Sequence, residues 1–449
     1  MKKACLHYFL ISAIIVFCNV NANAQNPENR ILNLIDEVSK ENLSEHIKTL
    51  ENAGGTRSRI TFTKGVDSAA VYIKNIFDGY SGLTSVELDT FYIASASSPY
   101  NNQPQVNVVA TIEGRTNPEK IFVIGAHLDA TANRDRFWAK GSNWKTIEAP
   151  GADDNATGIA SILEIARLMS DEEFGFVNDF TIKLVAFGAE EYGANYNGNH
   201  HGSTHFANQI KTVDNEIIGM VSMDMIGFNE TNDYASIVKY DNFMKEQSIT
   251  LGQRFSQANE DFSIGLITNN PPFESGSYSD HQSFAAVDIP SILLIENAPW
   301  ESNEFYTANP YYHTSDDGFE SINIDLVKKI TQLNIATLAS YNGTATGIES
   351  EEEGLNIVDQ MRLDQNYPNP FNPSTVITFH LQKSGHVALK VYNILGKEIA
   401  VLVDGNKSAG SHQVVFDANS IGEELSSGIY VYQLRTDRTV ISNKMTLIK

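Results

Sequence analysis

Apolar residues recur along this chain at two different periods, and the period changes once, near residue 350. In the first part, Ile31, Leu34, Ile35 and Val38 fall at helical spacing within Ile31–Leu50, and the spacing returns over Val66–Phe77 after the turn Gly54-Gly55-Thr56. Apolar residues three and four apart line one face of a helix, so both stretches predict amphipathic helices. Ser85–Ile93 and Val106–Ile112 read as strands. Ile121–Asp129, IFVIGAHLD, does not alternate: an unbroken apolar run leads to His127, with Asp129 two residues further on. Such a run is what a parallel strand buried on both faces looks like. The pattern repeats where TIKLVAFGAEE runs into Glu190 and Glu191, where IIGMVSMD runs into Asp224, and in SILLIE, Ser291–Glu296. Ala156–Met169 is apolar at Ile159, Ile162, Leu163 and Ala166 and opens after Asp154-Asn155, which read as helix caps. A last helix is expected over Ile324–Tyr341. Strand, polar loop and helix in alternation predict an α/β domain, with a mainly parallel central sheet flanked by helices.

Between Thr344 and Gly354 the chain reads TATGIESEEEG, four glutamates without a cation, as a solvated linker does. Beyond it the period is two, over Thr375–Leu381, Val387–Tyr392, Glu398–Val403, His412–Phe416, Gly428–Leu434 and Lys444–Ile448. Turns are expected at Leu395-Gly396-Lys397 and at Asp404-Gly405. Six or seven short strands in that length predict a small β-sandwich. It carries no titratable cluster, so the chemistry belongs to the first part.

Composition narrows the picture. At 449 residues the chain is long enough for a large core and an appendage, and 42% hydrophobic with 19% charged residues is an ordinary globular content. A formal net charge of -23 argues against nucleic acid as a partner, since phosphate binding needs a basic surface. The start, MKKACLHYFLISAIIVFCNVNANAQ, joins Lys2 and Lys3 to an apolar run and to Ala22-Asn23-Ala24, the pattern of a secretory signal peptide. The run is too short for a membrane span, and bulky Phe17 disfavours lipid attachment at Cys18. Cys5 and Cys18 are the only cysteines, so a mature chain without this segment has no disulfide, no thiolate chemistry and no membrane span.

Any metal must then be held by histidines and carboxylates. In chain order the candidates are His127, Asp154, Glu190, Glu191, Asp224 and His313. Each alone has an ordinary explanation: a satisfied polar strand end, a helix cap, a charged loop. Several buried strands ending in acids and histidines need a compensating partner, however, because an unpaired buried charge is costly. A pair of divalent ions is such a partner, and a carboxylate between two metals can bridge them.

GAHLD, APGADDNATG, FGAEEYG, VSMDMIG, YSDH and YYHTSDD follow one another here in the order and near the spacing of the co-catalytic zinc aminopeptidases of the secreted bacterial leucine aminopeptidase type, which Ile31–Asn342 resembles. The resemblance implies two zinc ions: His127 and Asp224 on one, Glu191 and His313 on the other, and Asp154 bridging. It implies Glu190 as the general base acting on a metal-bridging hydroxide, and Asp129 as the carboxylate that orients His127. The expected substrates are peptides with a free N-terminus, cut at the first peptide bond. The chain departs from the family in a longer stretch, Asn195–His201, whose His200 and His201 are expected to be exposed loop residues; His281 is expected to be structural. Tyr278 is given no catalytic part, since the loop disulfide of some relatives cannot form around it.

LDQNYPNPFNP at Leu363–Pro373, the hairpin YNILGKEIAVLVDG and SSGIYVYQL resemble the type A sorting domain of type IX secretion substrates. That resemblance implies Sec export, engagement of the type IX machinery by the C-terminal domain, and a secreted or cell-surface protein. A carbohydrate-binding or adhesive module is the alternative for this part. The expected division is residues 1–24 signal peptide, 25–343 zinc peptidase domain, 344–362 acidic linker and 363–449 β-sandwich sorting domain. Two other functions fit the fold: a glutaminyl cyclase, whose relatives usually read Asp-Gly-Glu-Glu where this chain has Gly188-Ala189-Glu190-Glu191, and a non-catalytic binding domain, which would have lost ligands.

Overall fold

The computed structural model describes residues 27–139, 142–171, 174, 176–192, 200–211, 215–230, 233–239, 245–269, 279–296, 307–342, 362–363, 366, 369–381, 384–393, 397–408, 410–421, 425–436 and 440–449. The expected signal peptide, nearly all of the acidic linker, Tyr278 and residues 297–306 lie outside them. The described residues fall into two compact units, one within Met1–Gly347 and one within Ile348–Lys449.

In the first unit the elements are α1 (Pro27–Asp36), α2 (Lys40–Glu51), α3 (Lys64–Asp78), β1 (Ser85–Tyr92), β2 (Pro104–Ile112), β3 (Asn117–His127), α4 (Gly158–Ser170), β4 (Phe180–Phe187), α5 (His201–Ile210), β5 (Glu216–Met223), β6 (Tyr234–Lys239), α6 (Lys245–Asp261), β7 (Ile267–Asn269), α7 (His281–Ala285), β8 (Ser291–Ile295) and α8 (Ile324–Asn342). Eight strands form one mixed sheet in the order β1-β2-β4-β3-β5-β8-β6-β7. The central run β4-β3-β5-β8 is parallel throughout, and antiparallel pairings join β1 and β2 to one side of it and β6 to the other.

The apolar run of β3 explains why that strand lies in the middle. Phe122, Ile124 and Ala126 pack with α3, α4 and α8 in one core, while Ile121 and Val123 pack with Phe206 of α5 and Phe284 of α7 in another. Successive side chains point to opposite faces, so a strand covered by helices on both must be apolar at every position. The helical stretch expected at Ile31–Leu50 is two helices. Ser39 stops the run: its side chain accepts from Asn42 N–H at 3.2 Å and its own N–H donates to Glu164 Oε1 at 2.7 Å. Both are partners that a residue inside a continuous helix would not have.

The second unit holds β9 (Arg362–Leu363), β10 (Ser374–Leu381), β11 (Gly385–Asn393), β12 (Glu398–Lys407), β13 (Gly410–Asp417), β14 (Gly428–Arg435) and β15 (Val440–Leu447). They form a three-stranded sheet, β13-β10-β9, and a four-stranded one, β12-β11-β14-β15. Phe379 and Phe416 of the first pack with Leu389, Tyr432 and Met445 of the second in a single core. The turn expected at Asp404-Gly405 is not there: both residues lie within β12, opposite Ala388 and Val387. Pairing along β11 outweighs their local turn preference.

Candidate metal centre

The central strands deliver their terminal residues to one edge. His127 is the last residue of β3, Asp224 follows β5 directly, Glu190 and Glu191 follow β4 after Gly188-Ala189, and Glu296 follows β8. Parallel neighbours share a carboxyl edge, so these four chain segments meet there. Asp154 arrives from the turn between β3 and α4, and His313 from the segment between β8 and α8. The capping expected of Asp154-Asn155 falls to Asn155 alone, whose Oδ1 accepts from Gly158 N–H at 3.1 Å.

All five expected ligands come together: His127, Asp154 and Asp224 form one cluster and Asp154, Glu191 and His313 a second that shares Asp154 with it, while Glu190 joins His127 and Glu191 in a further group that spans both. His127 Nε2 lies 3.1 Å from Asp154 Oδ1 and 3.3 Å from Asp224 Oδ1. His313 Nε2 lies 3.1 Å from Asp154 Oδ2 and 2.9 Å from Glu191 Oε1. Donors about 2.0–2.1 Å from a tetrahedral zinc ion stand about 3.3 Å from one another, so these spacings fit a zinc donor set. Asp154 presents one oxygen to each imidazole, an arrangement open to a bridging carboxylate. The fit also answers a charge problem, because Asp154, Glu190 and Asp224 are buried together with His127 and His313.

Burial and neighbouring charge pull the titration of these groups in opposite directions. Burial works to lower His127 and His313, but Asp224 holds His127 well above its ordinary value and Glu191 and Asp154 hold His313 up at about 10. Burial works to raise Asp154, yet the two imidazoles keep it below the usual carboxylate range. Glu190 and Glu191 are both pushed up to about 8, first by burial, against the lowering effect of His127 on one and His313 on the other.

Most of the candidate ligands are held from behind. His127 Nδ1 is 3.1 Å from the main-chain oxygen of Asp129, whose carboxylate is 3.7 Å away, and His313 Nδ1 is 3.2 Å from Asn133 Oδ1. Both contacts turn Nε2 toward the cluster. The Asp129 carboxylate has other partners: it accepts from Glu190 N–H at 3.0 Å, from Glu191 N–H at 3.2 Å and from the Thr61 hydroxyl at 2.7 Å. Asp317 does the same for the bridge, with Oδ1 accepting from Asp153 N–H at 2.9 Å and Oδ2 from Asp154 N–H at 3.1 Å. Arg59 is fully buried and donates to the main-chain oxygens of Leu128, Pro150 and Gly151, tying the end of β3 to the turn that carries Asp154. Ala189, Met225 and His313 have φ of 55°, 51° and 60°, a left-handed region that side chains other than glycine occupy at a cost, and such positions gather at functional sites.

His281 is buried and belongs to neither cluster. The expectation for His200 is overturned. It is 4% exposed, and its Nε2 lies 3.1 Å from Glu190 Oε1. His201 is partly buried, with its ring 6.0 Å from that of Tyr192.

Residues 107–338, over half of the chain, match peptidase family M28. The chain belongs to peptidase family M28. Residues 365–449 match the secretion system C-terminal sorting domain. A probable zinc metalloprotease of Pyrenophora teres f. teres is 25% identical to this M28 chain over 70% of the chain and 69% of its own length. Two solved structures share the fold. A Zn-dependent exopeptidase from Parabacteroides distasonis has TM-score 0.51 and 18% identity, covering 67% of this chain and 98% of its own. Porphyromonas gingivalis glutaminyl cyclase has TM-score 0.53 and 18% identity, covering 68% and 99%. The family is one of zinc peptidases, and the sorting tail implies export to the cell surface or beyond. Among the described residues no helix is long and apolar enough to cross a membrane.

Proposed function

We propose that this M28 chain is an exported aminopeptidase that binds two zinc ions and hydrolyses the first peptide bond of substrates with a free N-terminus. The observation that carries the reading is Asp154, whose two oxygens each stand 3.1 Å from a different imidazole. His127 and Asp224 would hold one ion, Glu191 and His313 the other, and Asp154 both. When bound, the ions supply Lewis acidity, drawing electron density from a water and from the substrate carbonyl. Glu190 stands at the cluster without being needed as a ligand, and Asp129 fixes its main chain. Its carboxylate takes a proton from the water that attacks the carbonyl carbon. As the carbon–nitrogen bond breaks, Glu190 returns that proton to the departing amine. The surplus of carboxylates at the edge favours a substrate that brings an ammonium group, and this is the reason to favour removal of N-terminal residues. The secretion route proposed is Sec export followed by passage across the outer membrane, directed by residues 365–449.

The test follows a mixed peptide pool by mass spectrometry with the full chain, with chelator, and with Glu190→Gln. Stepwise loss of N-terminal residues that chelator stops is the expected course. Glu190→Gln keeps its zinc and loses about 10²- to 10⁴-fold in turnover, the usual contribution of a positioned base. Loss of ammonia from Gln-started peptides with no hydrolysis would make the chain a glutaminyl cyclase instead, and a Glu190→Gln enzyme as active as wild type would remove Glu190 from the base role.

A further inference from the structure

His200 lies at the same sheet edge as Glu190, and the residues that follow it are fastened to the end of β4. His201 N–H donates to Ala189 O at 3.2 Å and Gly202 N–H to Gly188 O at 3.0 Å. Asn107, wholly buried on β2, reinforces the closure: its Oδ1 accepts from Gly188 N–H at 3.0 Å and its Nδ2 donates to Gly202 O at 3.0 Å. The approach needs glycine at 202, where a Cβ would lie 2.3 Å from Asn107 Oδ1 and 2.4 Å from Gly188 O. His205, further along α5, adds a contact of 3.1 Å from Nε2 to Asp89 Oδ1. The start of α5 is thus pinned against the end of β4, beside the two glutamates.

His200 precedes α5 with φ of 32°, a left-handed turn that places its ring over Glu190. Nε2 lies 3.1 Å from Oε1, and the two side chains are buried together. Burial, the largest influence, lowers the pKa of His200 against the opposing pull of Asp280 and Asp224. A neutral imidazole has one N–H, and against an ionised Glu190 the 3.1 Å contact requires that hydrogen to be on Nε2.

We propose that His200 is a positioning residue for Glu190: its Nε2–H donates to Oε1 and fixes the plane of the carboxylate, which assigns the proton exchanged with water and amine to Oε2. The proposal rests on Glu190 acting as the base. In that role Oε2 gains one proton from the attacking water and gives it to the leaving nitrogen, while His200 keeps its own proton throughout. A carboxylate with one oxygen engaged loses rotational freedom, so the proton acceptor points the same way in every turnover.

The experiment compares full-length wild type, His200→Leu and His200→Gln, each loaded with zinc, for zinc content, kcat and KM on a peptide the wild type cleaves, and crystal structures of wild type and His200→Leu. The leucine variant is expected to keep its zinc and its KM and to lose about 10- to 100-fold in kcat, the loss usual when the partner of a reacting group is removed. Glutamine can still donate to Oε1 and should recover most of that loss. In the crystals the Glu190 carboxylate should leave its wild-type position when His200 is leucine. An unchanged kcat, a carboxylate that stays in place, or a fall in zinc content as large as the fall in kcat would each overturn the proposal. A wild type that cleaves no peptide defeats the aminopeptidase reading alone, and the crystal comparison still decides the His200–Glu190 pair.

Discussion

Replacing Asp317 by Ala should weaken zinc binding although its carboxylate belongs to neither cluster. The side chain is 2% exposed and accepts from two main-chain N–H groups, those of Asp153 at 2.9 Å and Asp154 at 3.1 Å. The bond from Ala152 N–H to the main-chain oxygen of Asp317, 3.0 Å, survives the substitution, so the turn is not released altogether. Two buried donors are left without their acceptors, at about 1–3 kcal/mol each, or about 2–6 kcal/mol together. One effect works the other way. The Asp317 carboxyl is held up at about 7 by burial, with Asp154 adding to the rise, and removing it relieves that repulsion. The net loss should therefore fall near the lower end, about 2 kcal/mol, which a domain of ordinary stability survives. The Asp154 carboxylate, no longer held by its own main chain, should bind zinc about 10- to 100-fold more weakly. Competition for zinc with a chromogenic chelator measures the affinity, and denaturant unfolding of the metal-free protein measures the stability. An Asp317→Ala protein with wild-type zinc affinity and a wild-type unfolding midpoint would refute the reasoning.

Glu296→Gln should change the pH dependence of stability. Glu296 and Asp153 bond side chain to side chain, and burial holds both well above the carboxylate range, with Asp153 adding to the rise of Glu296 and Asp317 to that of Asp153, while the bond from Glu296 works to lower Asp153. A folded pKa above the unfolded one gives stability that is complete below the unfolded value and lost as pH rises toward the folded one. Wild type should thus lose more stability than Glu296→Gln between pH 5 and pH 9, by up to about 1.4 kcal/mol per pH unit for one proton, and parallel curves from chemical unfolding would contradict this. Gly151→Ala should lose zinc and stability together, because Gly151 has φ of 55° and a Cβ there would lie 2.3 Å from Asp154 O and 2.6 Å from Ala130 Cβ. Metal analysis and thermal unfolding check it, and an alanine variant with full zinc content would show that the turn can shift without harm.

How much of this was legible in the sequence depended on whether a residue's role was local. His127, Glu190, Glu191 and Asp224 close apolar runs, and an unbroken run already says parallel strand, shared edge and convergence. The holding groups have no such signal. Asp317 lies within the motif YYHTSDD, but its partners are the N–H groups of Asp153 and Asp154, more than 160 positions away. Arg59 and Thr61 sit in an irregular stretch whose importance comes only from the chain that folds over them. His200 reads as a loop residue because its neighbours are polar, and the clamp between Gly188 and Gly202 that carries it inward depends on a close approach no periodicity records. The break at Ser39 was hidden for a related reason: apolar residues keep their helical spacing across it, and what stops the helix is Glu164, contributed by α4. The antiparallel pairings of the sheet were likewise unreadable, since β2 and β6 run against the central strands and a buried strand's direction leaves no mark in its apolar pattern.

The measurement that bears most directly on the account is anomalous diffraction at the zinc edge from crystals of the full chain grown with zinc. The account predicts two peaks on either side of the Asp154 carboxylate, about 3.5–4 Å apart as in two-metal sites, one beside His127 and Asp224 and the other beside His313 and Glu191. A single peak, or two that do not share Asp154, would contradict it.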